Sequence, residues 1–158
     1  MHPNAELLAR FYAAFASRDA EAMAACYHRD IEFCDPVFPE LRGPAAADMW
    51  RMLLARASDL EVRFAVLHAD EARGAARWEA DYTFAPTGRK VRNRIEASFA
   101  FDGGLIRRHR DGFDLWRWSR MALGAPGWLL GWSPWLARMV RGQAARSLAA
   151  YRRTTGAP

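Results

Sequence analysis

Apolar and polar residues alternate through the middle of this chain, and this alternation limits the available folds more than any other feature. Four stretches between Leu60 and Phe113 carry it, and the last three are separated by Pro-Thr-Gly at 86–88 and Asp-Gly-Gly at 102–104. Successive side chains of a β-strand point to opposite faces, so a period of two predicts strands with one covered and one solvated side. Asp-Gly-Gly is typical of a tight hairpin. The sequence therefore predicts an antiparallel sheet with one apolar face.

Apolar residues at helical spacing precede this sheet. Asn4 is expected to cap a first helix, and Asp19 a second helix that has Tyr27 on its buried side. Pro44 is expected to open a third helix. A curved antiparallel sheet wrapped around helices on its apolar face is an α+β domain. Three short helices do not fill the open end of such a sheet, so a pocket is expected there.

A short first strand is predicted at residues 31–37. The alternation puts Ile31, Phe33 and Asp35 on one face. If that face lines a cavity, Asp35 is a carboxyl group in an apolar setting, where its pKa rises and general-base catalysis becomes available. If the face is solvated, Asp35 only starts a turn before Pro36.

Polar residues interrupt the apolar face of the predicted sheet at Tyr82, Asn93, Arg107, His109 and Asp111. An unpaired buried polar group costs about 1–3 kcal/mol, so such a cluster is either a structural network or a site. A carboxylate two residues beyond a histidine on one strand can orient its imidazole. We expect the catalytic groups to be Asp35, His109 and Asp111. We expect the ligand pocket to be lined by Phe11, Tyr12, Phe15, Tyr27, Trp50, Phe64, Trp78, Tyr82, Asn93, Ala97, Phe99 and Phe113.

The composition excludes several classes of protein. With 158 residues, 51% of them hydrophobic and 13% aromatic, the chain is expected to form one ordered domain. Cys26 and Cys34 are too few for a disulfide framework, and without a Cys-x-x-Cys pair they do not predict zinc. No spacing of ligands requires a metal, and no glycine-rich loop predicts phosphate binding. No secretory leader is recognisable, so a cytoplasmic protein without metal or cofactor is expected.

Several short motifs lie between Asn4 and Asp114: Arg-Phe-Tyr at 10–12, Asp-Pro-Val at 35–37 and Gly-Gly at 103–104. In these motifs and in the order of its elements the chain resembles the nuclear transport factor 2-like superfamily, which includes ketosteroid isomerase and SnoaL-like polyketide cyclases. The resemblance implies a cone-shaped α+β fold, a small hydrophobic ligand and a homodimer. It also implies that the Asp of the Asp-Pro-Val step is the base that moves a proton next to a carbonyl.

Two positions depart from the ketosteroid isomerase pattern. Phe11 stands where that enzyme has a tyrosine, and Ala97 stands where it has a protonated aspartate. Those two groups form its oxyanion hole, and without such donors the developing negative charge is unstabilised. Ketosteroid isomerase activity is therefore not expected. The candidates for a substitute donor are Tyr82, Asn93 and His109.

Residues 115–158 lie beyond the resembling part and are expected to form a helical extension packed on a domain of residues 1–114. Five of the seven tryptophans lie between Trp116 and Trp135. A helix is predicted from Ser133 to about residue 151. We expect the extension to close the pocket mouth or to form a dimer contact, with a membrane surface as the alternative.

The charge is concentrated near the C-terminus. From Arg107 onward there are ten arginines and two aspartates, which gives +8 there and −3 for the rest of the chain. Such a tail is compatible with nucleic acid or an anionic membrane, but a solvated helix face is the favoured explanation. No nucleic-acid partner is therefore expected.

These features leave three functions open. The first is a cofactor-independent enzyme that transfers a proton on a ketone- or polyketide-like molecule, with isomerase-, cyclase- or hydratase-type chemistry. The second is a non-catalytic module that binds an apolar ligand or dimerises, which the missing oxyanion groups favour. The third is a peripheral membrane or nucleic-acid binder that uses the basic tail.

Overall fold

The computed structural model describes residues 1–156, and in that range a six-stranded sheet is flanked in sequence by helices. The helices are α1 (Pro3–Ala16), α2 (Ala20–Ala25), α3 (Pro44–Arg56), α4 (Leu115–Leu123), α5 (Ala125–Leu130) and α6 (Pro134–Thr154). The strands are β1 (Tyr27–Cys34), β2 (Leu41–Arg42), β3 (Glu61–Ala69), β4 (Arg73–Phe84), β5 (Arg89–Asp102) and β6 (Leu105–Gly112). The predicted α+β class is confirmed.

The sheet runs in the order β2-β1-β6-β5-β4-β3. β1 pairs with β6 in parallel, and the other neighbours pair antiparallel, with β4 paired to β5 along its whole length. Trp78 and Ile95 are buried on the inner face, whereas Glu79 and Arg94 form an ion pair at 3.2 Å on the outer face. The antiparallel sheet with one covered face that was predicted for residues 60–113 is confirmed for β3 to β6, and β1 extends it in parallel.

Helices α1 and α3 fill the space over the inner face with aromatic side chains. The ring of Phe15 lies 4.9 Å from Trp50 of α3 and 5.1 Å from Trp78 of β4, measured between ring centroids. Aromatic pairs at these separations add to the free energy of burial. The core therefore joins both helices to the sheet.

His2 caps helix α1. The Nδ1 atom of His2 accepts the N–H of Asn4 at 3.1 Å, while the side-chain amide of Asn4 donates to the carbonyl of Asp70 at 3.0 Å. The prediction that Asn4 caps this helix was wrong. Pro3 already occupies the first helical position, where its missing N–H costs nothing, so the cap has to precede it. Asn4 instead ties α1 to the turn between β3 and β4.

Strand β1 begins four residues earlier than predicted. Tyr27, which was expected on α2, is the first residue of β1 and pairs with Ile106. Residues 28–30, which precede the predicted strand, also belong to β1. The parallel partner β6 supplies backbone hydrogen bonds that the local sequence of β1 does not reveal. For the same reason the short strand Leu41–Arg42 was not predicted, because it forms only by pairing with β1.

A bulge near the start of β6 changes which residues face the core. Phe101 pairs with Ile106 and Ala100 with Arg108, so Arg107 is an extra residue without a partner on β5. Ile106 is fully buried, and Arg107, which was predicted on the covered face, is half-exposed. A bulge reverses the alternation on one side of it. From residue 109 onward the predicted alternation holds.

Helices α4 and α6 pack against the sheet domain. Trp118 of α4 forms a second buried cluster with Val91 of β5, and Leu148 of α6 reaches the main core. The Nε atom of Arg141 donates to the carbonyl of Pro36 at 2.8 Å. The C-terminal extension therefore contacts both the sheet and the segment that follows β1.

Helix α5 was not among the individual elements predicted for the extension. Gly124 does end α4, with φ of 71°, but the chain immediately turns into another helix. Gly127 lies so close to the Ser119 carbonyl that a Cβ would overlap with it. The predicted α6 is confirmed, and the hydroxyl of Ser133 accepts the N–H of Leu136 at 3.2 Å.

Candidate functional site

His109 and Asp111 belong to a chain of buried side-chain hydrogen bonds. Nε1 of Trp50 donates to the hydroxyl of Tyr27 at 2.8 Å, and this hydroxyl lies 2.8 Å from Nδ1 of His109. Nε2 of His109 lies 2.9 Å from Oδ1 of Asp111, which also accepts Nε1–H of Trp78 at 3.3 Å. The chain joins α3 to three strands of the sheet. We call these five side chains the buried network.

The positions of the two indole donors determine which atoms of the buried network donate a hydrogen bond and which accept one. The indole of Trp50 occupies one lone pair of the Tyr27 oxygen, and the phenolic proton of Tyr27 then donates to Nδ1 of His109. The other ring nitrogen of His109 carries a proton that it donates to Asp111. This tautomer, assigned from the network, gives every donor of the five side chains an acceptor. A doubly protonated ring would leave the Tyr27 proton without an acceptor among residues 1–156.

Asp35 directly follows β1 and lies beside the buried network. Phe33 pairs with His109 in the parallel ladder, so the next inward-facing position brings Asp35 level with Asp111. The two carboxyl groups are close enough for the charge of Asp111 to raise the pKa of Asp35, an effect secondary to burial. All three predicted catalytic residues are therefore neighbours.

The carboxyl group of Asp35 both begins a turn and faces the interior. Its Oδ1 accepts the N–H groups of Val37 at 2.7 Å and Phe38 at 2.6 Å. Burial raises the pKa of Asp35 to about 6 and outweighs these two hydrogen bonds, which lower it. The two alternatives that the sequence left open are thus not exclusive. Oδ2 has no hydrogen-bond partner in the part of the chain that the structure describes.

Two tyrosine hydroxyls near these carboxyl groups have unused donors. The Tyr12 hydroxyl is buried without a hydrogen-bond partner within residues 1–156, and burial and then the charge of Asp111 raise its pKa. The Tyr82 hydroxyl accepts Nε1–H of Trp118 at 2.8 Å, which leaves its own proton free. Burial and, to a smaller extent, the charge of Asp35 raise the pKa of Tyr82. Both hydroxyls are therefore neutral donors at neutral pH.

Sequence reasoning proposed Tyr82 as a donor but did not single out Tyr12 for that role. The sequence feature that could have indicated this role is the position of Tyr12 next to Phe11 in the Arg-Phe-Tyr motif. The contact of Trp118 with Tyr82 was also missed, and no local pattern reveals it, because the two residues are 36 positions apart.

The two apolar replacements for the oxyanion hole are both buried. The ring of Phe11 lies 5.3 Å from Tyr27 and 5.5 Å from His109, so it packs against the buried network. Ala97 of β5 is the direct partner of Asp111 on β6. The carboxyl group that Ala97 lacks is therefore present on the neighbouring strand, at the same level of the sheet.

The predicted pocket-lining residues share the inner face of the fold, but they differ in exposure. Phe64 on the edge strand β3 is 37% exposed, although its ring stacks on Tyr12. Tyr82 and Phe113 are partly buried. The fully covered residues are Phe11, Tyr12, Phe15, Tyr27, Trp50, Trp78, Asn93, Ala97 and Phe99. These side chains mainly pack against one another.

Two surface depressions are present on the fold. One, of about 480 Å³, includes Asp59, Lys90 and the candidate donor Tyr82 in its lining. The other, of about 890 Å³, lies on the outer face of the sheet and includes Ser98 and Arg108. Neither is lined by the candidate catalytic residues, so the predicted pocket at Asp35 is not one of them. Within residues 1–156 no group of three His, Cys, Asp or Glu side chains could hold a metal ion.

Comparison with known families finds a match to the SnoaL-like domain over residues 8–109. That span includes β1 to β5 and most of β6, and therefore Asp35 and His109. Asp111 and the helices α4 to α6 lie outside it. No curated protein matches the chain.

Solved structures with the same fold come from several bacteria. A candidate polyketide cyclase from Silicibacter sp. TM1040 has a TM-score of 0.66 and 19% identity, covering 74% of this chain and 93% of its own. A candidate polyketide cyclase from Pseudomonas putida KT2440 has a TM-score of 0.63 and 23% identity, covering 77% and 98%. An LEH-like epoxide hydrolase from M. tuberculosis has a TM-score of 0.62 and 20% identity, covering 77% and 90%. At these identities the likeness establishes the fold alone.

Proposed function

The chain belongs to the SnoaL-like family, and from that premise we propose that it is a cofactor-independent enzyme that transfers a proton on a small apolar molecule. The substrate class is ketone- or polyketide-like, and Asp35 is the general base. The fold and the family support a small-molecule isomerase, cyclase or binding role. The choice of proton transfer rests on the carboxyl group that follows β1.

The proposal depends mainly on Asp35, whose buried carboxyl group has a raised pKa and one oxygen without a hydrogen-bond partner in residues 1–156. With a pKa of about 6, the group is mostly ionised at neutral pH, yet it is more basic than an ordinary aspartate. A general base works best when its pKa lies near the working pH. Oδ1 is occupied by two backbone N–H groups, so Oδ2 is the oxygen that accepts the proton.

His109 and Asp111 act in this mechanism as positioning residues. The hydrogen bonds of His109 and Trp78 hold the Asp111 carboxyl group in place. Its charge disfavours ionisation of Asp35 and so keeps that base stronger. Both ring nitrogens of His109 are already engaged, by Tyr27 and by Asp111, which fits a supporting role better than direct contact with substrate.

Tyr12 and Tyr82 are the proposed donors to the oxygen on which negative charge develops. Each has a hydroxyl proton with no acceptor in the described residues. A preorganised donor in a dry site stabilises an enolate far more than it would in water. The tyrosines thus replace the donors that Phe11 and Ala97 cannot supply.

The direct test is solvent deuterium incorporation, followed by NMR, into a panel of cyclic ketones and aromatic polyketide-like ketones. Asp35→Asn should abolish any incorporation that the unmodified protein catalyses. Asp30→Asn is the matched control, because Asp30 is an exposed carboxylate of β1, the strand that Asp35 follows. Full turnover by Asp35→Asn would remove Asp35 from the mechanism.

The second candidate is a protein that binds an apolar molecule without converting it. The burial of His109 and Asp111, and the position of both depressions away from them, favour this alternative. Calorimetry on the same panel separates the two. Equal affinity in the unmodified protein and Asp35→Asn, with no deuterium incorporation in either, would support the binding protein.

A homodimer is part of the proposal and rests on family likeness. Sedimentation equilibrium over a range of protein concentrations tests it, and a monomer throughout would remove it.

A further inference from the structure

The segment between α4 and the first turns of α6 exposes an unusual amount of apolar surface. Leu129 is 71% exposed and Trp132 is 69% exposed. We call the whole group the Trp-rich tip, and it consists of Trp128, Leu129, Leu130, Trp132, Trp135 and Met139. Single exposed apolar residues are common, but six large ones within twelve positions indicate a surface that is covered in function.

The Trp-rich tip is held in place by packing beneath it. Helix α5 lies against α4 at Gly127, where only a hydrogen leaves room for the carbonyl of Ser119. The guanidinium of Arg120 is sandwiched between Trp116 and Trp128, at 4.4 Å and 4.7 Å from the ring centroids. The exposed side chains are therefore presented from a fixed scaffold.

Basic charge accompanies this apolar surface without any acidic residue. Residues 115–158 contain seven arginines and no Asp, Glu or Lys. On α6, Arg138 and Met139 share a face with Trp135, because residues three and four apart are neighbours on a helix. Arg146 and Arg153 continue this exposed face toward the C-terminal end. The outward side of the extension is thus aromatic and aliphatic at one end and cationic along its length.

We propose that the Trp-rich tip docks the protein on the surface of a phospholipid bilayer that contains anionic lipids. Tryptophan and leucine side chains insert at the level of the headgroups, and arginines bind the lipid phosphates. In residues 1–156 no helix is long and apolar enough to cross a bilayer. In this proposal the α5–α6 segment lies along the bilayer surface. Its charge attracts an anionic leaflet.

Two other partners fit the same surface less well. A symmetric contact with a second copy would bring two wholly basic segments together, and like charges facing each other oppose association. Single-stranded nucleic acid needs free aromatic faces for base stacking, whereas Arg120 occupies one face of both Trp116 and Trp128. The aliphatic side chains of Leu129 and Met139 also have no counterpart in a phosphate backbone.

Co-sedimentation with vesicles tests the proposal. The full chain should pellet with vesicles of phosphatidylcholine mixed with phosphatidylglycerol, weakly with phosphatidylcholine alone, and less as salt is raised. The double variant Trp132→Ala/Trp135→Ala should bind the anionic vesicles about tenfold more weakly or worse, because two apolar contacts are lost. Its circular dichroism should match that of the unmodified chain, since both side chains are exposed.

Matched variants distinguish binding through the Trp-rich tip from non-specific adsorption to vesicles. Leu129→Ala should weaken vesicle binding, whereas Leu67→Ala, which removes an exposed leucine of β3, should not. Arg138→Gln should weaken it more than Arg29→Gln, which removes an exposed arginine of β1. The proposal is overturned if the folded chain does not pellet with anionic vesicles, or if Trp132→Ala/Trp135→Ala pellets equally. A dimer that this double variant abolishes, or tighter binding to an oligonucleotide than to vesicles, would also overturn it.

Discussion

The Nε2 atom of His109 lies 2.9 Å from Oδ1 of Asp111, two residues further along the same strand. Both side chains are almost fully buried, so a charge on Asp111 depends on the donors that surround it. The supporting donors come from α3, β1 and β4. The pair thus links the stability of the core to the chemistry of the neighbouring Asp35.

Replacing Asp111 with asparagine should lower the free energy of unfolding by about 1–3 kcal/mol, because His109 and Trp78 lose a charged acceptor. It should also lower the pKa of Asp35, since the charge of Asp111 raises that pKa. Urea denaturation measures the first effect and NMR titration of Asp35 the second. An unchanged Asp35 titration would contradict the proximity of the two carboxyl groups.

The raised pKa of Asp35 should make the protein less stable as the pH rises. Its pKa is 3.8 when unperturbed and about 6 in the fold, so the folded state holds the proton more tightly. The resulting stabilisation is complete below the lower value and is lost as the pH rises through the higher one. The loss amounts to as much as about 3 kcal/mol. Unfolding experiments on Asp35→Asn should not show this fall.

The same group should govern the pH dependence of turnover. If Asp35 is the base, kcat/KM should rise with pH through about 6 and then level off. In Asp111→Asn the rise should move to lower pH, because the neighbouring negative charge is gone. A profile that is flat from acid to neutral pH would argue for another base.

Tyr12→Phe should stabilise the protein by about 1 kcal/mol or more, because it removes a buried hydroxyl that has no partner in residues 1–156. It should lower kcat if this hydroxyl binds the substrate oxygen. Tyr27→Phe is the contrasting variant, because it breaks hydrogen bonds to Trp50 and His109 and should destabilise. Thermal unfolding of both variants measures the difference.

Gly127→Ala should destabilise by roughly 2 kcal/mol, because the added methyl group overlaps with the Ser119 backbone and separates α4 from α5. Gly142→Ala in α6 is the control. Its methyl group meets only the end of the flexible Arg146 side chain, and it should stabilise α6 by about 0.5–1 kcal/mol. If both variants were equally stable, the proposed scaffold of the Trp-rich tip would be wrong.

The sheet could be predicted because its signal is local and repeated. Alternation over residues 60–113 determines which face of each strand is buried, and a hairpin such as that at 102–104 determines the direction of the next strand. This is why Trp78, Asn93 and His109 were all assigned to the inner face, where they are buried. The same rule gave the wrong face for Arg107, because the extra residue of a bulge cannot be recognised from the apolar pattern.

The errors elsewhere arise from partners that are distant in sequence. Tyr27 joins β1 because Ile106, 79 residues later, lies beside it. Asn4 is diverted from capping by carbonyls near Asp70. The sequence grouped Asp35, His109 and Asp111, and the fold brings them close together. The hydrogen bond from Trp50 to Tyr27, which decides which groups donate and which accept, could not be predicted from local sequence.

Arg141 connects helix α6 to the turn that contains Asp35. From α6, which also carries Trp135, it donates to the carbonyl of Pro36 in the turn that holds the Asp35 carboxyl group. A displacement of α6 on a lipid surface would therefore reach that turn through one hydrogen bond. Thermodynamic linkage then makes the effect mutual. If the bilayer changes the protein's affinity for a small molecule, that molecule changes the protein's affinity for the bilayer by the same factor.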